Sequence, residues 1–122
     1  MGFLFVCLGA AIGAPARYLT DRAIQARHDT VVPWGTMTAN VVGSMILGLL
    51  IGLADAHHVP EAVMLALGTG FCGALTTYST FSYETFRLYE SGARLYATIN
   101  VAISLTAGLG AALVGLAVGA AL

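Results

Sequence analysis

The chain has 122 residues, of which 58% are hydrophobic and 9% charged, with a formal net charge of −1 and a mean hydropathy of +0.86. An ordinary water-soluble domain is about 25% charged, so this composition excludes one and points to a single membrane domain over residues 1–122. There is no Lys and no basic cluster, which argues against a nucleic-acid partner.

Four uncharged runs organise the chain: residues 1–16, 30–54, 62–83 and 95–122. Crossing a bilayer takes roughly 20 apolar residues. The last three runs reach that length, and the first does so if its helix continues toward Ile24. The expected fold is all-α, with four transmembrane helices at about 2–24, 33–54, 61–91 and 95–121.

In the first helix, Gly9 and Gly13 form a small-xxx-small pair that lets a neighbouring helix approach closely. The stretch around Ala14 resembles a signal-cleavage site, but the basic n-region of a secretory signal is missing, so the segment is read as retained. Pro15 can kink the helix. Arg17 either snorkels to headgroups or faces an aqueous vestibule. Asp21, Arg22, Arg27, His28 and Asp29 make a mixed-charge connection, with His28 read as a solvated loop residue.

The second helix starts near Pro33 and Trp34; Trp suits a membrane interface and Pro a first helical turn. Within it lies Asn40, an uncommon side-chain amide whose ordinary role is hydrogen bonding between helices. Gly43, Ser44, Gly48 and Gly52 give this helix a flat packing face. The following loop carries adjacent His57 and His58, which have no third ligand nearby in sequence and so are not read as a metal site. Cys7 and Cys72 lie in apolar runs and read as small packing residues.

The third span contains GTGFCGALTTYSTFS, residues 68–82, dense in glycine and hydroxyl side chains and free of charge. Gly costs about 1 kcal/mol in a helix interior, and Ser and Thr compete for backbone hydrogen bonds. A helix break is therefore expected near Gly73 to Thr77. Backbone freed at membrane depth is tolerable only where protein or a polar cavity receives it, so the break reads as a working site. Beyond it, Ser79 to Tyr89 reads as a short helix whose Glu84 and Arg87 are spaced to pair. In the last helix Asn100 and Ser104 share a face, either as interhelical glue or as a lumenal strip.

Together the uncommon intramembrane groups are Arg17, Asn40, Tyr78 and Phe81, and the hydroxyls of Thr76, Thr77, Ser79, Thr80, Ser82 and Ser104. No Asp, Glu or His lies mid-span, although proton-coupled transport generally needs such a group. The set suits passage of an ion. No nucleophile, base and acid are grouped, so an enzyme is not expected.

Three stretches, GAAIGAPARY at 9–18, GTMTANVVGSMILG at 35–48 and GFCGALTTYSTFSYE at 70–84, resemble the small fluoride channels called Fluc or CrcB, with Asn100 and Ser104 in a matching last helix. The resemblance covers nearly the whole chain, and GxxTTxSTFS downstream of an intramembrane NxxGS is its most specific part. It implies passive export of fluoride across a bacterial inner membrane by an antiparallel dimer, with two pores along the subunit boundary and a central structural sodium ion. Carried onto this chain, Asn40 is the pore amide, Phe81 a pore aromatic, and Gly73 and Thr76 the carbonyl donors to sodium. Arg17 matches the vestibule arginine, and Tyr78 stands where the family more usually has Phe. The remaining hydroxyls, Thr77, Ser79, Thr80, Ser82 and Ser104, join the expected ion pathway.

All five arginines fall in the first and third connections, on one side of a four-span topology. This bias predicts a fixed orientation with both termini outside, whereas an antiparallel homodimer needs both orientations. The chain is therefore expected either to tolerate the bias or to pair with an oppositely oriented homologous subunit. The alternative, a dual-topology multidrug exporter, needs a carboxylate in the first helix, and residues 1–16 have none.

Overall fold

A computed structural model describes residues 2–27 and 32–122; His28, read above as a loop residue, lies outside them. Among the described residues six α-helices and one π-helical segment follow in order: α1 (Gly2–Arg27), α2 (Trp34–Ala56), α3 (Glu61–Val63), the π segment (Met64–Cys72), α4 (Gly73–Leu75), α5 (Ser79–Glu90) and α6 (Arg94–Ala121). Four stretches of the described residues are long and apolar enough to cross a membrane: Gly2–Arg27, Trp34–Ala56, Glu61–Glu90 and Arg94–Ala121. Pro15 is accommodated inside α1, which runs on to Arg27, beyond the expected end near residue 24.

Two close seams join the spans in pairs, and both are made by missing side chains, while α1 also packs on α2, where Gly35 lies against Asp21. Along α2 and α6, a Cβ at Gly48 would fall on the Ala112 carbonyl and one at Gly52 on that of Leu116. Reciprocally, a Cβ at Gly115 would meet the Met45 carbonyl and one at Gly119 that of Leu49. Backbones can approach this closely only where no side chain intervenes, which replaces the hydrophobic drive that lipid cannot supply. The second seam joins α1 to the π segment, with Gly9 against the Ala66 carbonyl and Gly13 against that of Phe71.

The third span changes its winding along its length. Its π segment closes with the Gly73 N–H donated to the Gly68 carbonyl, five residues back, and to that of Gly70. π turns are rare and tend to occur at working sites. The short α4 ends at Leu75, and Thr76 is extended, with φ −82° and ψ 157°. Helix resumes at Ser79, where the Thr80 N–H donates to Thr77 Oγ1 at 3.1 Å. Thr77 thereby satisfies one of the N–H groups that any helix start leaves without a partner.

Between α5 and α6 the chain reverses at Gly92, whose φ of +92° lies in the left-handed region. The Ala93 N–H reaches the Leu88 carbonyl at 2.9 Å and the Gly92 N–H that of Tyr89 at 3.2 Å. These are the paired bonds of a Schellman stop. Arg94 then lies 4.9 Å from the Tyr89 ring. Glu84 and Arg87 do not form the ion pair their spacing invites. Arg87 sits over the Tyr83 ring at 5.9 Å, and Glu84 Oε1 is enclosed without a hydrogen-bond partner.

Much of the apolar surface remains open. Leu105, Leu109 and Leu113 on α6 and Phe3, Leu8 and Ile12 on α1 are all exposed. Contiguous faces of this kind call for lipid or another protein surface to cover them.

Candidate functional site

The interruption between α4 and α5 lies in a groove of about 1010 Å³, walled by α2, by residues 68–78 of the third span and by α6. In an uninterrupted α-helix the Thr77 N–H would bond the Gly73 carbonyl. It donates instead to Asn40 Oδ1 at 2.8 Å, and Asn40 Nδ2 donates to the Thr77 carbonyl at 3.1 Å. One amide thus receives both backbone groups of a residue that has left the helical ladder. Each group left without a partner would cost about 1–3 kcal/mol. An amide has two N–H donors, so one Asn40 N–H remains after the Thr77 bond, and Asn40 itself lines the groove.

The neighbouring hydroxyls are mostly committed. Thr76 Oγ1 donates to the Cys72 carbonyl at 2.8 Å, and the Thr76 N–H reaches the same oxygen at 3.0 Å. Its methyl is turned to α2, where a Cβ on Gly43 would collide with Thr76 Cγ2. Thr77 Oγ1, besides accepting from Thr80, lies 3.4 Å from Ser79 Oγ. Ser104 Oγ donates to Asn100 Oδ1 at 3.3 Å.

Tyr78 and Phe81 both line the groove, their ring centroids 6.2 Å apart and their planes tilted by 47°. Tilted rings at this separation present edges, the electropositive part of an aromatic. Tyr78 is 80% exposed. Phe81 also borders a second groove of about 610 Å³ between α5 and α6, together with Ser82 and Thr85.

Of the residues singled out from sequence, the first groove therefore gathers Asn40, Gly73, Thr76, Thr77, Tyr78, Phe81 and Ser104. Ser82 belongs to the second groove, Ser79 and Thr80 are exposed at the start of α5, and Arg17 is half-buried on α1, outside both grooves. Asn100 lies outside both as well. It is 1% exposed and donates from Nδ2 to Thr85 Oγ1 at 2.7 Å, so of the two roles open to it, interhelical glue and lumenal strip, the interhelical one is seen. Thr85 is not among the residues the sequence singles out; its place four residues after Phe81 on one helical face is the available signal. Near the start of α2, Asp21 Oδ1 and Glu84 Oε1 are enclosed without a hydrogen-bond partner. Among the described residues no His, Cys, Asp and Glu group forms a candidate metal cluster.

A family model described as "CrcB-like protein, Camphor Resistance (CrcB)" matches residues 4–116. The chain is 60% identical over 122 residues to the "Fluoride-specific ion channel FluC 1" of Frankia casuarinae, a match covering 96% of this chain and 95% of the relative. It is 58% identical over 115 residues to a protein of the same name from Streptomyces avermitilis, covering 94% and 93%. Against the "Fluoride-specific ion channel FluC" of Shewanella woodyi identity is 41% over 102 residues, covering 84% and 82%.

Proposed function

This chain belongs to the CrcB-like family, and from that premise we propose that it is a multi-pass membrane channel selective for fluoride. The ion is exported passively down its gradient. Two copies, or this chain and an oppositely oriented homologous subunit, form an antiparallel dimer with a pore along each side of the boundary. The observation that carries this reading is the double hydrogen bond between Asn40 and Thr77, which leaves one amide N–H over in a groove edged by aromatic rings.

Fluoride is small and holds its water tightly, so a pore must replace that shell with donors. Amide N–H groups and ring edges supply partial positive charge without a full one. A lysine at the same depth would hold the ion too firmly, and conduction needs sites that are favourable to enter yet easy to leave. Asn40 is the amide in this scheme and Phe81 and Tyr78 the ring edges, with Ser82 continuing the path along the second groove. Arg17 supplies positive potential at the mouth without entering the bore. Thr77, Ser79 and Thr80 shape the start of α5, and Ser104 contributes its proton on rotating away from Asn100.

A structural sodium ion fits the residues present. The Gly73 carbonyl has lost the Thr77 N–H as its α-helical partner, and extended Thr76 turns its own carbonyl out of the ladder. Neutral carbonyl oxygens are the donors a hard monovalent cation takes at a helix interruption. Bound there, sodium would supply fixed positive charge to offset the exposed carbonyl dipoles, and Gly73 and Thr76 would hold it. Gly73 borders open space, since an added Cβ would meet nothing within 4 Å beyond its own stretch of backbone.

The test is ion efflux from liposomes containing the purified protein, followed with fluoride and chloride electrodes. Rapid fluoride loss with chloride retained is expected. Equal loss of both ions would remove the fluoride assignment.

A further inference from the structure

A directional run of hydrogen bonds crosses the wall between the two grooves. It starts at Ser104, in the first groove, whose Oγ donates to Asn100 Oδ1 at 3.3 Å. Asn100 Nδ2 donates to Thr85 Oγ1 at 2.7 Å, and Thr85 Oγ1 donates to the Phe81 carbonyl at 2.8 Å. Thr85 lines the second groove and Phe81 lines both. A hydroxyl has one proton to give and lone pairs to accept with; Asn100 takes a lone pair of Thr85 Oγ1 and leaves its proton to the Phe81 carbonyl, so the threonine ties α6 to the first turns of α5. Asn100 is 1% exposed, so no water competes for the bond.

The rest of α5 is weakly anchored. Leu88 is its one buried residue, it packs mainly on α6, and its contact with α2 is slight. Phe81 sits in its first turns, away from Leu88. With little apolar packing near Phe81, a buried polar tie has unusual leverage over where that ring stands.

We propose that Asn100 and Thr85 are positioning residues for the anion route: without touching the ion, they set the depth and tilt of the Phe81 ring between the two grooves. The inference rests on the channel reading above and deepens it, because a ring edge serves as a donor only when it is aimed at the path. It also assigns Ser104 a second duty. At 3.3 Å its bond to Asn100 is long for O–H···O, so Ser104 completes the run weakly and can release it.

The experiment places 4-fluorophenylalanine at position 81 and follows its ¹⁹F resonance alongside fluoride efflux from liposomes. Thr85→Val keeps shape and removes both bonds. Efflux is expected to fall severalfold as the ring edge leaves the path, with the resonance shifted or broadened. Thr85→Ser restores the hydroxyl and is expected to match the wild type in both readouts. Asn100→Leu cuts the same tie from the other end should Thr85→Val fail to assemble. Without the amide, α5 loses its polar hold on α6 and the resonance moves. An unmoved resonance in Thr85→Val or Asn100→Leu, or Thr85→Ser behaving like Thr85→Val, would overturn the proposal. Wild-type liposomes that lose no fluoride would sink the channel reading alone, and the resonance comparison would still decide whether the tie positions Phe81.

Discussion

The α2–α6 seam and the junction between α4 and α5 treat the same chemical group, the backbone carbonyl, in opposite ways. In the seam both helices run unbroken, and glycines let the chains touch; Gly48 meets Ala112 and Gly115 meets Met45 with nothing between them. At the junction the ladder opens, and a side chain from another helix, Asn40, takes over its bonds. One region gains rigidity from absent side chains, and the other gains a polar surface from a single present one. The difference shows why a membrane protein this small can hold a broken span: the seams carry the fold, so the junction is free to give its backbone to a site.

The largest effect is expected from Asn40→Leu, which keeps bulk and strands both Thr77 groups. A loss of roughly 3 kcal/mol is expected, the combined cost of two unsatisfied buried groups, read as a lower midpoint in denaturant titration of the detergent-solubilised protein. Asn40→Asp, which can still accept from the Thr77 N–H, should lose less. If Asn40→Leu proved as stable as the wild type, the amide would not be what closes the junction.

Next in size is the seam. Gly115→Val drives a side chain into the Met45 carbonyl and should cost about 2 kcal/mol by overpacking. Thermal melts would register it, and an unchanged midpoint would mean the helices do not meet as closely as the glycines imply. Gly43→Ala sits where the two regions meet, because its methyl would push on Thr76 Cγ2. Here about 1 kcal/mol is expected, together with a several-fold drop in sodium-dependent protection if Thr76 holds that ion. The smallest effect belongs to Tyr78→Phe. At 80% exposure the Tyr78 hydroxyl contributes little to folding, and stability should stay within about 0.5 kcal/mol. Any change should appear in fluoride flux.

The seams and the spans are legible in the sequence, and for a plain reason. Apolar run length and small-xxx-small spacing are local properties, so Gly9 with Gly13 and the glycines of the second helix are visible without knowledge of any contact. The candidate site is only half legible. Asn40 stands out as an amide in a membrane segment, but its partner Thr77 lies 37 positions away and nothing local pairs them. The π winding of Met64–Cys72 escapes a sequence reading because glycine and small residues permit i+5 bonding without demanding it. Thr85 is equally hidden, because a threonine in a helix is ordinary until Asn100 is brought against it. The Schellman stop at Gly92 does have a local signal, a Gly after a helical run with Leu88 and Ala93 flanking it. Glu84 and Arg87 mislead in the other direction, since spacing permits an ion pair but Arg87 lies over the Tyr83 ring instead.

The most direct measurement compares wild type and Asn40→Leu in the same liposome preparation, with fluoride and chloride followed together. Wild type should release fluoride and keep chloride, and the variant, assembled but lacking the amide, should release neither. Undiminished fluoride release through Asn40→Leu would contradict the claim that this amide both closes the backbone and serves the ion.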